Sequence, residues 1–184
     1  KRIYNKELTK NLSGLLKTCS ESFQNIDYSL FSDTDYVAGS LTNRAYFRSV
    51  ASKIEDYANS FSPNSASWLF IGSPGLGKTY LCACVAKVVA FEKGHSVCYD
   101  SACTAFDAFE QRRFSRDEER KNAAERKIAR MTDADLLILD DLGTEYISAG
   151  SLSAFYTLIN TRLIENKPTI INTNLSVSEI YNRY

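Results

Sequence analysis

Gly72-Ser73-Pro74-Gly75-Leu76-Gly77-Lys78-Thr79 is the stretch on which the reading of this chain turns. It fits the spacing G-x-x-x-x-G-K-[ST], in which the glycines let backbone N–H groups close around phosphate oxygens. In that pattern Lys78 reaches the β- and γ-phosphates as a point charge, and the Thr79 hydroxyl ligates Mg²⁺. Just upstream, Trp68-Leu69-Phe70-Ile71 reads as a short buried strand. Just downstream, Tyr80 to Phe91 is an apolar helical run, so the loop ends at a helix N-terminus, where unpaired N–H groups and the helix dipole favour anions. That flanking strand and helix separate the octapeptide from a chance match in a glycine-rich linker. Residues Gly72 through Tyr80 are therefore the candidate nucleotide-binding set.

Outward from the loop, elements alternate. Gly94 is placed to stop the helix, and Ser96-Val97-Cys98-Tyr99-Asp100 reads as the next strand. Residues 104–131 read as one helix, charged from Glu110 onward, and Asp135-Leu136-Leu137-Ile138-Leu139-Asp140 as a fully apolar strand closed by acids. Leu152 to Leu163 is a further helix, and Pro168-Thr169-Ile170-Ile171-Asn172-Thr173-Asn174 a strand with a polar end. On the N-terminal side, Tyr46, Phe47, Val50, Ile54, Tyr57 and Phe61 mark an amphipathic helix stopped by Ser62-Pro63-Asn64, and residues 20–41 look irregular. Leu8, Leu12, Leu15, Leu16 and Cys19 form another stripe, interleaved with Lys6, Lys10 and Lys17; it either packs on the core or faces a partner. Apolar strands alternating with helices imply an α/β fold with a parallel sheet covered on both faces.

At 184 residues the chain suits one domain with a real core, and 22 basic against 22 acidic residues exclude a global field that would attract nucleic acid. Any such contact has to come from a local patch. No apolar run is long enough to span a bilayer, and the first residues carry no signal-peptide pattern. The start at Lys1 is what a piece of a longer protein would show. Cys19, Cys82, Cys84, Cys98 and Cys103 are odd in number, and with His95 as the single histidine no zinc site is credible. Buried, reduced thiols in a cytoplasmic protein are the expectation.

In parallel sheets ligands bind at the carboxyl ends of the strands. That rule selects the phosphate loop, Asp140-Asp141 and Asn172-Thr173-Asn174. Asp140 is assigned to Mg²⁺ and Asp141 to orienting or deprotonating the attacking water, as in a Walker B element. The Asn174 amide is placed to donate to the γ-phosphate and accept from that water, so the site would sense the γ-phosphate. Lys78, Asp140, Asp141 and Asn174 are the catalytic set, and Thr79 and Asp140 the metal set. Glu145 is read either as contacting the site or a neighbour, or as a solvated loop residue. Arg112, Arg113, Arg116, Arg120, Lys121, Arg126, Lys127 and Arg130, with Phe114 among them, could track single-stranded DNA. Interleaved Glu110, Asp117, Glu118, Glu119 and Glu125 equally fit an ordinary solvated helix.

The phosphate loop, Leu136-Leu137-Ile138-Leu139-Asp140-Asp141-Leu142-Gly143 and Pro168 to Ser176 together resemble the bacterial AAA+ ATPases of the DnaC/DnaI/IstB group. Asp-Asp-Leu-Gly in place of Asp-Glu, and Ser22-Phe23 to Asp27-Tyr28 ahead of the core, are similar to that group in particular. The resemblance covers about residues 22–184, with residues 1–21 left as a helical extension. It implies an AAA+ P-loop NTPase fold and an ATPase acting in DNA replication as a loader of the replicative helicase. It also implies ATP·Mg²⁺ as an assembly switch, self-association through the ATP site, and single-stranded DNA binding. The related alternative is an IstB-like ATPase that assists a transposase. The resemblance further implies Ile26 and Tyr28 near the adenine, although a packed linker explains them as well. The group supplies an arginine finger in trans from beyond the Asn-Thr-Asn-Leu-Ser strand, then a small helical lid. With the sequence ending at Tyr184, and Arg183 not matched to that finger, the expectation is a C-terminally truncated core without the lid that hydrolyses ATP weakly. Two other classes stay open: a small-molecule P-loop kinase, and a binding module that uses ATP only structurally.

Overall fold

The computed structural model describes residues 21–37 and 40–184; the leucine stripe expected over 5–19 lies outside them, as does Cys19. The described chain opens with 3-10 turns at Phe23–Asn25 and Tyr28–Leu30 and a two-residue ribbon, β1 (Tyr36–Val37) against β2 (Leu41–Thr42). Helix α1 (Asn43–Asn59) follows, capped by Thr42, whose hydroxyl accepts from Ala45 N–H. The helix ends two residues before Phe61, which the periodicity had assigned to it. Phe61 is nevertheless buried, packed edge-on to Tyr57 at 6.0 Å.

Strand β3 (Trp68–Ile71) enters the phosphate loop and α2 (Lys78–Lys87) leaves it. The apolar run expected as one helix to Phe91 changes to a π-helical turn over Val88–Glu92, closed by Gly94 at φ +77°. Then come β4 (Val97–Ser101), α3 (Ala102–Phe114), α4 (Glu118–Asp133), β5 (Leu136–Leu142), α5 (Ala149–Ile164), β6 (Thr169–Thr173) and α6 (Val177–Arg183).

The single helix expected over 104–131 is two. Asp117 adopts extended backbone, and its carboxylate accepts from the N–H groups of Glu119 and Arg120; it thereby caps α4 and stops α3 from running on.

The four long strands are parallel in the order β3-β6-β5-β4. Alternate residues of each strand face opposite layers. Tyr99, Leu136, Ile138 and Ile170 pack with α1 and α2, whereas Cys98, Leu137, Leu139 and Leu142 pack with α3 and α5. β3 was expected to be buried, but among the described residues it pairs only with β6, and Leu69 and Ile71 are 49% and 43% exposed. Burial pushes the thiols of Cys84 and Cys98 up to about 12 and about 11, and that of Cys82 higher, so all three stay protonated.

This strand order determines the site. Ile71 lies opposite Thr173, and Thr173 opposite Leu142, so the carboxyl ends of β3, β6 and β5 meet in adjacent register.

Candidate nucleotide-binding site

The phosphate loop is shaped by two left-handed glycines, Gly75 at φ +82° and Gly77 at φ +80°. A Cβ on Gly77 would also lie 3.2 Å from the Phe47 ring, so glycine is required there for both backbone and contact. A cavity of about 420 Å³ opens over the loop, lined by Pro74, Gly75, Gly77, Lys78, Thr79, Tyr80, Asp141 and Asn174. Lys78 Nζ donates to Gly72 O at 2.7 Å, Ser73 O at 3.0 Å and Asn174 Oδ1 at 2.7 Å. Its ammonium thus sits between the loop and the end of β6, across 96 residues of sequence.

Thr79 Oγ1 donates to Asp140 Oδ1 at 3.0 Å, so the two residues of the expected metal set touch. Both offer hard oxygen ligands. Among the described residues no group of three or more His, Cys, Asp and Glu could hold a metal. One carboxylate beside one hydroxyl is a donor set that fits Mg²⁺, which commonly takes one or two carboxylates and completes its shell from phosphates and water.

Asp140 is 5% exposed and further bound by two residues that sequence reasoning did not assign. Tyr99 OH donates to its Oδ2 at 2.5 Å, and the Asn172 amide N–H₂ donates to its Oδ1. The amide oxygen of Asn172 accepts the Asp141 N–H at 2.8 Å, so one buried side chain holds both acids. A polar residue after two isoleucines inside a strand was the available signal for Asn172; Tyr99 carried none, because it reads as an ordinary core aromatic.

Asp141 sits at a register irregularity inside β5, at φ +55°, and is exposed. Partial burial, then the neighbouring Asp140 charge, holds its carboxyl above the usual carboxylate range, against the pull of Lys78. Tyr80, expected among the nucleotide contacts, lines the cavity, yet its hydroxyl is spent on the N-terminal segment: it donates to Ser22 O at 2.9 Å and accepts from Ser22 N–H at 3.4 Å. Ile26 and Tyr28 are partly buried against the core, with Tyr28 edge-on to Phe47 at 6.1 Å and under the Arg48 guanidinium at 4.8 Å. A second hollow of about 670 Å³ meets the phosphate cavity at Gly75 and Lys78, walled by Phe31, Phe47 and Leu76 among others.

Glu145 is not a solvated loop residue. It is buried and joined to Arg183 and Tyr184. Of the basic residues considered for DNA, Lys127 is paired with Asp100 at 2.7 Å and Arg120 with Asp117 at 3.5 Å, while the Arg113 guanidinium lies over the Phe114 ring at 5.1 Å. Arg112 and Arg113 line a groove of about 700 Å³ between α3, α4 and α5. Among the described residues no helix is long and apolar enough to cross a membrane.

Comparison with known proteins gives the family. The replicative helicase loader DnaC of Escherichia coli K12 is 27% identical over 131 residues, which are 70% of this chain and 51% of that protein. The chain thus spans about half the length of the curated relatives it matches. The crystal structure of DnaI superposes with a TM-score of 0.66 at 19% identity, over 94% of this chain and 79% of that one. That of the DnaC helicase loader gives 0.55 at 25% identity, over 82% and 80%. The fold is that of the P-loop AAA+ proteins, as the motifs implied. The family model described as IstB-like ATP binding protein matches residues 21–183, and the chain belongs to that family.

Proposed function

We infer that this chain binds ATP with Mg²⁺, hydrolyses it, and acts in DNA replication as a helicase-loading ATPase. The observation that carries the reading is the contact network at the three strand ends: Lys78 on the loop and on Asn174, and Thr79 on Asp140. Lys78 and the loop N–H groups would hold the β- and γ-phosphates. Thr79 and Asp140 would hold Mg²⁺, which when bound neutralises charge on the bridging phosphate oxygens. Asn174, with its oxygen on Lys78, keeps N–H₂ as the donor for the γ-phosphate. Asp141 would accept the proton of the attacking water as the γ-phosphorus–oxygen bond to ADP breaks. The base would enter the adjoining apolar hollow, where Phe31, Phe47 and Leu76 offer flat apolar surface.

The DnaC relatives, whose name is replicative helicase loader, support the helicase as partner. Single-stranded DNA bound in an assembly that ATP switches is part of the same proposal. The family description supports the second reading, an ATPase that assists a transposase. Recovery of a helicase or of a transposase with the full-length protein decides between them.

The chemistry is tested on the full-length protein with two variants. Lys78→Ala should weaken ATP binding about tenfold or more, the loss of charge-assisted hydrogen bonds. Asp141→Asn should leave binding near wild type and lower turnover by about 10² or more. Unchanged turnover in Asp141→Asn would overturn the assignment of the base, and phosphoryl transfer to a nucleoside or nucleotide would overturn the ATPase reading.

A further inference from the structure

Glu145 lies four residues past Asp141, and its side chain is fully buried, at 0% exposure. A buried carboxylate is costly unless hydrogen-bonded and paired, and this one is both. Its Oε2 accepts the Gly143 N–H at 2.8 Å. Its Oε1 accepts from the Tyr184 hydroxyl and faces Arg183 Nε at 3.4 Å. The Arg183 guanidinium also donates to the Glu145 backbone carbonyl at 2.7 Å. Neither the phosphate contacts nor the metal ligands involve it.

The turn that Glu145 grips is the one that aims Asp141. Every polar backbone contact along it comes from a distant element or from the turn itself. Asp141 N–H goes to Asn172, Asp141 O accepts from the Thr144 hydroxyl at 2.9 Å, and Leu142 O accepts from the Thr173 hydroxyl at 2.5 Å. The Gly143 N–H is bound within the turn by the Glu145 carboxylate. Gly143 itself, at φ +113°, has no room for a side chain, since a Cβ would lie 2.7 Å from Leu175. Asp141, a non-glycine residue at positive φ, is therefore held in place by its surroundings, and Glu145 is a charged part of them.

The other end of the contact reaches the end of β6. α6 starts just after Asn174, capped by Ser176 with Glu179 in a reciprocal box, and ends at Arg183, with Tyr184 packed against Phe155 at 5.7 Å. Its first turn follows the amide that touches Lys78, and its last residues hold Glu145. Asn174, α6, Glu145 and the turn back to Asp141 form one run of contacts, whose two ends, Asn174 and Asp141, line the cavity.

We propose that Glu145 is a positioning residue for hydrolysis: through Gly143 it fixes the Asp141 carboxylate, and through Arg183 and Tyr184 it ties that carboxylate to the helix that follows Asn174. This rests on the reading of Asp141 as the base. It assigns Glu145 no contact with nucleotide, so its loss should appear in turnover and not in binding.

The test uses full-length protein, fluorescent ATP-analogue binding, steady-state ATP hydrolysis, and a thermal melt of each variant. Glu145→Ala should lower kcat about tenfold to a hundredfold while the analogue Kd stays within about twofold, as expected when a reacting group is misplaced by a fraction of an ångström to one ångström. Tyr184→Phe removes one hydrogen bond, keeps the ring against Phe155, and should lower kcat by about two- to fivefold while the protein still folds, with its melt lowered by a few degrees. It keeps the proposal testable if Glu145→Ala fails to fold. In the Asp141→Asn background, Glu145→Ala should cost no further turnover, because both act at one carboxylate. Equal losses of kcat in both backgrounds, unchanged kcat in Glu145→Ala and Tyr184→Phe, or parallel losses of kcat and affinity would each overturn it. A full-rate Asp141→Asn would instead sink the assignment of the base, and this inference with it.

Discussion

Asp141 interrupts the register of β5 at φ +55°, a backbone conformation that costs a residue with a Cβ of order 1 kcal/mol or more. Its carboxyl is also held above the ordinary range by partial burial and by the Asp140 charge. In the unfolded chain neither effect acts, so the folded protein binds the Asp141 proton more tightly than the unfolded one. Stability therefore falls as pH rises through the raised folded value, and the charged form is a cost at neutral pH. Asn tolerates the left-handed region and carries no charge. In nucleotide-free, metal-free protein, Asp141→Asn should melt higher than wild type at pH 7, and the difference should shrink as pH is lowered into the carboxylate range. A thermal melt series across pH checks this, and a lower melting point for Asp141→Asn at pH 7 would contradict it. The paired acids were readable in the sequence because their chemistry is local: an apolar strand ending in two carboxylates. Tyr99 and Asn172 were not, because their roles depend on β4 and β6 flanking β5.

The helix pair α3–α4 shows what a charge-rich sequence conceals about its elements. Asp117 with Glu118 and Glu119 is a helix start signal, yet the polar run reads equally well as one solvated helix, and it is the extended backbone at Ser115 and Asp117 that breaks it. The end of α4 conceals more. Arg162 is 0% exposed and, among the described residues, has no carboxylate within salt-bridge reach. Its guanidinium donates to the carbonyls of Met131, Thr132 and Ala134 at 2.9, 3.0 and 2.8 Å, to Pro168 O at 2.6 Å, and to the Thr169 hydroxyl at 2.9 Å. One side chain on α5 thus closes the last turn of α4 and the entry to β6, satisfying carbonyls a helix end leaves open. Burial holds its pKa down to about 10, so the charge persists at neutral pH. Arg162→Met should cost about 3 kcal/mol or more, since several buried carbonyls lose their donors. Arg162→Lys should recover little of that, because an ammonium cannot reproduce the planar fork. Equilibrium urea unfolding measures both; a lysine variant as stable as wild type would show that charge alone suffices. Nothing in the local sequence separates this arginine from an exposed one near a helix end.

Across the molecule, the site exists because the sheet order is β3-β6-β5-β4. Each motif was readable alone, and the alternation of strands and helices gave the parallel sheet. The order did not follow, because it depends on which crossover packs on which face. It is the insertion of β6 between β3 and β5 that brings Asn174 to Lys78 and Asn172 to Asp140, and so joins segments 96 and 32 residues apart. A ligand held by all three strand ends is bonded to the folded sheet and to nothing in the unfolded chain. It should therefore stabilise by mass action: at ATP·Mg²⁺ about 100 times its Kd the gain is about 2.7 kcal/mol, or roughly 5–10 °C in Tm for a chain of this size. Lys78→Ala should lose most of that shift at the same ATP concentration, whereas Asp141→Asn should keep it, since it removes a contact with water and not with phosphate. If ATP·Mg²⁺ left the melting point of wild type unchanged at every concentration up to millimolar, the three strand ends would not act as one nucleotide site. If it shifted wild type and Lys78→Ala equally, the nucleotide would bind somewhere other than the loop.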